Sequence, residues 1–347
     1  MAPAIIQPKK SIIITHGEDI DGIVSGALML KQLEDQDREI LFFTHDNKLN
    51  LLEQISDQPN LNSKHTYILD LALSDLIYNH RNKEGERVIR KLLEQPISST
   101  WIDHHQRTLN LKEKVVTFGT NLIDDNGEEL CTSRLVYQHF LHGNDYANWL
   151  SHLAQIDDYK KTKATEKDQL ISQQLTKIIS LHNSNMDNNS LEILAKKLGK
   201  KESWFIDEKI SRDLVMSLES YQLKEKKALQ YIEQNLEQYQ AQGLKILVSY
   251  ADPILPQKTT IRNMTNLTGD KNQDIYVLVF GKPVNNIWLL YKGDQEKFDI
   301  LNFLSSQNGG GRVDFGGFPT SQDTNLENYQ QEKELFIEKV RKHIIKK

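Results

Sequence analysis

The sequence predicts an α/β protein in three parts. These are an N-terminal doubly wound, mainly parallel sheet (residues 1–160), a helical insertion and connector (161–243) and a smaller C-terminal α/β domain (244–347). Three observations carry this. Short apolar runs of strand length recur at 11–15, 40–44, 66–69 and 97–102, the last interrupted by small polar residues; the first has no polar alternation, as suits a strand covered on both faces. Segments with apolar residues at three- and four-residue spacing fall between them, and strands alternating with helices give a parallel sheet. From about 160 to 242 the composition shifts to Lys, Glu, Gln and Asn without proline. Apolar residues still recur there at helical spacing, so the segment reads as helical.

At 347 residues the chain is long enough for two cores. Charged residues make up 26% and hydrophobic ones 38%, the balance of a soluble globular protein. A net charge of -5 argues against a polybasic nucleic-acid binder. The one cysteine, Cys131, excludes an intramolecular disulfide and a cysteine-rich zinc site; it reads as a small core residue at the start of a helix. Residues 1–8 lack the apolar region of a signal peptide, and no apolar run is long enough to cross a membrane. The expected location is the cytoplasm.

Taken in order, the strand at 11–15 leads into His16-Gly17-Glu18-Asp19-Ile20-Asp21-Gly22, and residues 23–33 turn helical. Asp19 and Asp21 stand two apart after a buried strand, so both can reach one cavity. After the strand at 40–44 and a short helix at 49–55, the strand at 66–69 ends in Asp70. A carboxylate directly after a buried strand is costly unless it is paired or bound to a metal. A helix near 85–93 precedes the strand at 97–102, which ends in Asp103-His104-His105. A strand at 114–118 follows, then a helix capped by Thr132 or Ser133 and running to Phe140, then a helix at 146–156 ending in Asp157-Asp158. Functional groups of an open α/β sheet collect beyond the carboxyl ends of its strands.

The third part opens with a strand at 244–250, followed by a helix at 259–267, strands at 274–280 and 287–291, and a short helix at 298–305. Next comes Gly309-Gly310-Gly311-Arg312, and a charged helix at 326–345 closes the chain. Three glycines before a cation suit a backbone that wraps an anionic group, with Arg312 gripping phosphate oxygens as a fork.

Carboxylates and imidazoles without thiolates suit Mn²⁺ or Mg²⁺ better than structural zinc. So many carboxylates in one crevice would repel one another without cations. Two ions about 3.5–4 Å apart would need one shared carboxylate. The ordered set His16-x-x-Asp19-x-Asp21-Gly22, Asp70 after a strand, Asp103-His104-His105 and then Asp158 resembles the four motifs of the DHH phosphoesterase superfamily. The Gly309–Arg312 segment resembles the glycine-rich motif of the associated DHHA1 domain. The resemblance spans about 10–160 and 244–320.

The resemblance implies a bilobal enzyme with two Mn²⁺ ions, Mg²⁺ being an alternative. His16, Asp19 and Asp70 would hold one ion; Asp21, Asp70, His104 and Asp158 would hold the other, with Asp70 bridging. His105 would contact the phosphate or protonate the leaving group, and Asp103 would orient a histidine. Gly309, Gly310, Gly311 and Arg312, together with His105, would bind substrate. Two residues separate His16 from Asp19, where members have one or three, so Glu18 is an alternative ligand. Arg312 stands where many members have histidine; the same Gly-Gly-Gly-Arg form resembles the C-terminal domain of alanyl-tRNA synthetases. Asp157 is the alternative to Asp158.

The expected activity is Mn²⁺-dependent hydrolysis of short single-stranded oligonucleotides or dinucleotides to 5′-mononucleotides. Alternatives are a single-strand exonuclease of the RecJ type, a phosphatase or phosphodiesterase for cyclic dinucleotides or 3′-phosphoadenosine 5′-phosphate, and a non-enzymatic scaffold with a residual metal site. The acidic net charge favours small substrates over long DNA, whose binding rests on many phosphate contacts. No membrane is expected as a partner, and a homodimer stays open.

Overall fold

The structure is a computed structural model. It describes residues 10–44, 51–54, 57, 64–71, 87, 98–105, 116–118, 123, 127–159, 162–184, 188–206, 209–251, 273–280, 286–294, 296–307, 309–311, 315–320 and 328–343. Of the helix expected near 85–93 only residue 87 is described, and it is helical; the helix expected at 259–267 and Arg312 lie outside these residues. The chain forms two compact units, Met1–Leu218 and Glu219–Lys347.

The first unit is built on a sheet of five strands, β1 (Lys10–His16), β2 (Asp37–Phe43), β3 (Lys64–Leu69), β4 (Ser98–Ile102) and β5 (Val116–Phe118). Their order is β2-β1-β3-β4-β5, and every neighbouring pair is parallel. The chain moves from β1 to β2 on one side and then crosses to β3 on the other. The carboxyl ends of β1 and β3 therefore flank the point where the winding reverses, the position at which such sheets form a crevice. Ile12, Ile13 and Ile14 are fully buried, as a strand covered on both faces requires.

Helix α1 (Ile20–Gln32) follows β1, and its residues from Ile20 to Leu30 are all buried. It lies against β1 and is covered by α2 (Thr132–Phe140), α3 (Asp145–Asp158) and α5 (Asn188–Leu198). Burying a helix all round demands close approaches, and Gly22 permits one: a Cβ there would sit 2.2 Å from the His16 carbonyl oxygen. Helix α4 (Glu166–Ser184) adds Leu175, Ile178 and Ile179 to the same core, and α5 adds Leu191, Leu194 and Leu198. The helical stretch at 161–243 is thus shared out. Its residues up to Leu218, including α6 (Lys201–Trp204) and the two-stranded ribbon β6 (Phe205–Ile206) and β7 (Lys209–Ile210), belong to the first unit. Helix α7 (Arg212–Gln234) runs across the division, with Leu214 and Leu218 in the first core and Ile232 in a cluster of the second.

The second unit carries a six-stranded mixed sheet in the order β12-β13-β11-β10-β9-β8. Its strands are β8 (Glu237–Ala241), β9 (Leu244–Ala251), β10 (Ile275–Phe280), β11 (Asn286–Tyr291), β12 (Gly310–Gly311) and β13 (Phe315–Pro319). Helices α8 (Ile300–Ser306) and α9 (Tyr329–His343) contribute Phe303, Leu304, Phe336 and Val340 to its core. Strand β8 corrects the expectation of helix up to residue 242. Glu-Gln-Tyr-Gln is polar, but Ala241 pairs with Leu244 across Gln242 and Gly243, whose φ angles are 47° and 88°. Two left-handed residues in a two-residue loop make a hairpin turn, and that turn sets the strand.

Candidate metal centre

The parallel sheet delivers its strand ends to one place. His16 is the last residue of β1, Asp70 directly follows β3, and Asp103, His104 and His105 directly follow β4. Asp70 has φ of 54°, the left-handed region that Asp tolerates better than most side chains. Its amide still donates to the Ile102 carbonyl at 3.0 Å, continuing the β3–β4 pairing while the side chain leaves the sheet.

Asp70 lies between two histidines and offers each a different oxygen. Its Oδ2 is 3.6 Å from His16 Nδ1, and its Oδ1 is 3.5 Å from His104 Nε2. Around His16, Asp19 Oδ2 stands 3.0 Å from Nδ1 and Glu18 Oε2 is 3.1 Å from Nε2. Around His104, Asp21 Oδ2 is 4.0 Å from Nε2, and Asp158 Oδ2 is 3.7 Å from Nδ1. His16, Asp19 and Asp70 form one group of donor atoms lying within 4.8 Å of one another, and Asp21, His104 and Asp158 form another. Asp70, Asp103, His104 and His105 meet the same limit and overlap both through Asp70 and His104. The two-residue gap in the first motif leaves both His16 and Glu18 beside this cluster. The adjacent aspartates separate cleanly: Asp158 turns to His104, whereas Asp157 is exposed and accepts a hydrogen bond from Thr176 Oγ1 at 3.0 Å.

Asp19 and Asp21 each serve a helix as well. Asp19 caps α1, accepting the Gly22 amide at 3.0 Å. Asp21 accepts the amides of Thr132 and Ser133, both at 2.8 Å, one on each carboxylate oxygen. Thr132 or Ser133 was expected to cap α2. Instead Cys131 occupies the capping position without a side-chain bond, and Asp21 satisfies the first amides from 111 residues away. Two residues that sequence reasoning missed complete the surroundings. Thr132 Oγ1 donates to Asp70 Oδ1 at 3.2 Å, and Tyr159 Oη is 2.7 Å from His104 Nδ1. The only sequence signal for Tyr159 is its place next to Asp158.

The electrostatics are those of a crowded acidic pocket. Asp21, Asp70 and Asp103 are buried. Burial, then the Asp70 and Asp158 charges, push the Asp21 carboxyl up to about 7 against the pull of His104 and the Ser133 bond. Burial alone would depress His104, but hydrogen bonding and charge from Asp70, then Asp21 and Asp158, carry it up to about 10. His16 behaves alike: burial opposes its charge, and Asp19, Asp70 and Glu18 hold it well above its ordinary value. Burial works against the Asp70 charge too, yet His104 and His16 keep that carboxyl well below the usual range. The imidazoles thus hold protons where cations would serve, and bound cations would displace them.

The donor set fits divalent ions. It consists of carboxylate oxygens and imidazole nitrogens, the ligands of Mn²⁺ and Mg²⁺. Separations of 3.0–3.6 Å at the His16 group are close to those of adjacent ligands about 2.1 Å from one ion. Cys131 lies near Asp21 and Asp158, but burial and then those two charges push its thiol well up, so it stays protonated. His105 is partly exposed, and its Nδ1 is 2.7 Å from the buried Asp103 Oδ1.

In the second unit, Gly309 does not offer its amide to an anion as expected. That N–H donates to the Leu304 carbonyl at 2.8 Å, and a Cβ on Gly309 would sit 2.3 Å from the Gly317 oxygen. Gly310 and Gly311 pair with Gly317 and Gly316 of β13.

The overall fold is shared with solved proteins. The chain has the fold of the DHH superfamily. With a pGpG-specific phosphodiesterase from Vibrio cholerae it aligns over 96% of its own length and 100% of the other, at 14% identity and a TM-score of 0.53. The DHH domain of a member of a ribosomal-protein family matches over 97% of this chain and 87% of that one, at 13% identity and a TM-score of 0.62. Exonuclease RecJ bound to manganese matches over 96% and 90%, at 12% identity and a TM-score of 0.60. No family profile and no curated protein matches the chain by sequence. Among the described residues no helix is long and apolar enough to cross a membrane.

Proposed function

We propose that this chain is a Mn²⁺-dependent phosphodiesterase that hydrolyses short single-stranded oligonucleotides or dinucleotides to 5′-mononucleotides. The supporting observation is the position of Asp70, one oxygen toward His16 and the other toward His104. A carboxylate so placed can serve two ion sites at once. His16, Asp19 and Asp70 would hold one ion, and Asp21, Asp70, His104 and Asp158 the other. The likeness to a phosphodiesterase named for pGpG and the net charge of -5 both favour a small substrate.

Bound ions would supply Lewis-acid polarisation of a phosphoryl group and acidification of a water. The chain's own part is positioning and proton handling. Burial opposes protonation of His105, but its bond to Asp103 raises it above the ordinary histidine value. It therefore keeps a proton to higher pH than an ordinary histidine and can donate it to a phosphate oxygen or to the leaving oxygen. Asp103, bonded at Nδ1, leaves Nε2 of His105 for that task. The resemblance alone suggests a substrate-binding role for Gly310, Gly311 and Arg312.

The test is a substrate panel of 5′-phosphorylated dinucleotides, single-stranded 24-mers of RNA and DNA, cyclic dinucleotides and 3′-phosphoadenosine 5′-phosphate, each with Mn²⁺ or Mg²⁺. Dinucleotides should be cleaved fastest and Mn²⁺ should support the highest rate. Inertness toward the whole panel would remove the proposal.

A further inference from the structure

We propose that the groove between α2 and α3 is a second ligand site, built to take the phosphate of a nucleotide and separate from the metal cluster. It is a cavity of about 390 Å³, within the size range of small-molecule sites. Arg134, Asn148, Trp149, His152, Gln155 and Lys163 line it, and no candidate metal ligand does.

Arg134 is the centre of the argument. Its Nη1 donates to the Asn148 carbonyl at 3.1 Å, to Asn148 Oδ1 at 2.6 Å and to Ser151 Oγ at 3.0 Å. Its Cζ lies 5.1 Å from the centre of the Tyr137 ring. The guanidinium is therefore fixed in place, but by neutral groups alone. Among the described residues no carboxylate pairs with it, and its Nε is buried without an acceptor. A guanidinium has five N–H donors, and a buried donor left unmade costs free energy. An oxyanion in the cavity would supply the countercharge that the guanidinium lacks. Lys163 and His152 bring further positive or protonatable groups to the same walls. The cavity also contains one carboxylate, Glu128, whose Oε1 accepts the Lys163 amide at 3.2 Å.

The rest of the wall suits a base. Trp149 is held rigidly: it stacks on Trp204 with ring centres 5.7 Å apart and an interplanar angle of 15°, and its Nε1 donates to Asp168 Oδ1 at 2.9 Å. A fixed indole is a stacking platform for bases. Asn148 Oδ1 and Gln155 Nε2 are engaged, by Arg134 and by the Glu129 carbonyl. Nδ2 of the exposed Asn148 is left to read a base edge. The ligand class is thus a 5′-mononucleotide, with the phosphate on Arg134 and the base against Trp149.

The inference uses residues outside the proposed metal centre, and its test is kept apart from that centre. Calorimetry on full-length protein stripped of metal with EDTA would measure binding of AMP, GMP, adenosine and inorganic phosphate. The mononucleotides should bind, and more tightly than phosphate or adenosine. Arg134→Gln should weaken them by about tenfold or more, Arg134→Lys by less, and Asp70→Asn should leave them unchanged. Thermal melts of the Arg134 variants should match that of the parent, which separates loss of a ligand from loss of the fold. Undiminished binding by Arg134→Gln, no binding by the parent, or equal affinity for phosphate and AMP would overturn the assignment. If Arg134-dependent binding persisted while the dinucleotide panel stayed inert, the proposed hydrolysis would fail and this site would stand.

Discussion

The Tyr159 hydroxyl lies 2.7 Å from Nδ1 of His104, on the far side of the ring from Asp70 and Asp21. Tyr159 Oη also reaches the Leu130 carbonyl at 3.4 Å. With burial holding the phenol protonated, Tyr159 gives its proton to Leu130 and accepts from Nδ1–H. In the neutral imidazole Nε2 is then the nitrogen left with a lone pair, and it is the one facing Asp70 and Asp21. Outer partners of this kind fix the tautomer of a metal-ligating histidine. Tyr159→Phe should lower affinity for Mn²⁺ by roughly 10- to 100-fold without unfolding the protein. Calorimetric titration with Mn²⁺ checks this, and unchanged affinity would contradict it.

Asp70 contributes to both donor groups, so Asp70→Asn should cost more than any outer partner. The expected result is loss of more than the roughly 10- to 100-fold attached to such partners, in Mn²⁺ affinity and in dinucleotide hydrolysis together. Metal analysis after gel filtration would show it. A variant retaining two ions per chain would refute the shared role.

His105 is tied to the pocket by its bond to Asp103, and the proposed ion sites draw on other side chains. His105→Ala should therefore keep its ions while turnover falls on the order of 10²-fold, the scale of a general acid. Full turnover in that variant would dismiss the proton-donor role.

The metal-free protein should lose stability as pH rises. His104 has a folded value of about 10 against an ordinary 6.5, so its contribution is complete below about 6.5 and is lost as pH climbs toward 10. His16 is displaced in the same direction. Asp21, raised from 3.8 to about 7, loses its share earlier, between those values. Asp70, depressed, has the opposite sign and matters only on acidification below its ordinary value. Melting temperatures of EDTA-treated protein should thus fall between pH 6.5 and 10. With Mn²⁺ present the fall should be suppressed and binding should release protons. A flat profile without metal would count against the pocket's described charges.

Gly22→Ala tests the packing beneath the site. A Cβ there meets the His16 backbone at 2.2 Å, so α1 and β1 would have to part. A destabilisation of about 1–3 kcal/mol, the range for overpacking, should appear in denaturant unfolding.

The sheet and most helices were legible because burial on both faces leaves continuous apolar runs, as in Ile12, Ile13 and Ile14. The clustering of His16, Asp70 and His104 was legible because a parallel sheet places the ends of β1, β3 and β4 at one edge. Strand β8 was not, since an edge strand of Glu, Gln and Tyr has the composition of the helix before it and is set by the Gln242-Gly243 turn. The choice of Asp158 over Asp157 rested on motif spacing; the structure adds Thr176, a partner on α4 that takes Asp157. The bonds of Asp21 to α2 were hidden for a plainer reason. Local patterns describe a helix start by its own neighbours, and this one is completed by a residue far up the chain.

That long-range tie has a consequence for biogenesis. Asp21 emerges early in synthesis, but the amides that orient its two oxygens arrive only with Thr132 and Ser133. A nascent chain halted before them would carry Asp21 without the two amides that orient it, while Asp19 already has the Gly22 amide. Of the two proposed ion groups, the one containing Asp21 would therefore be completed only after α2 has been made, later than the one built on His16, Asp19 and Asp70.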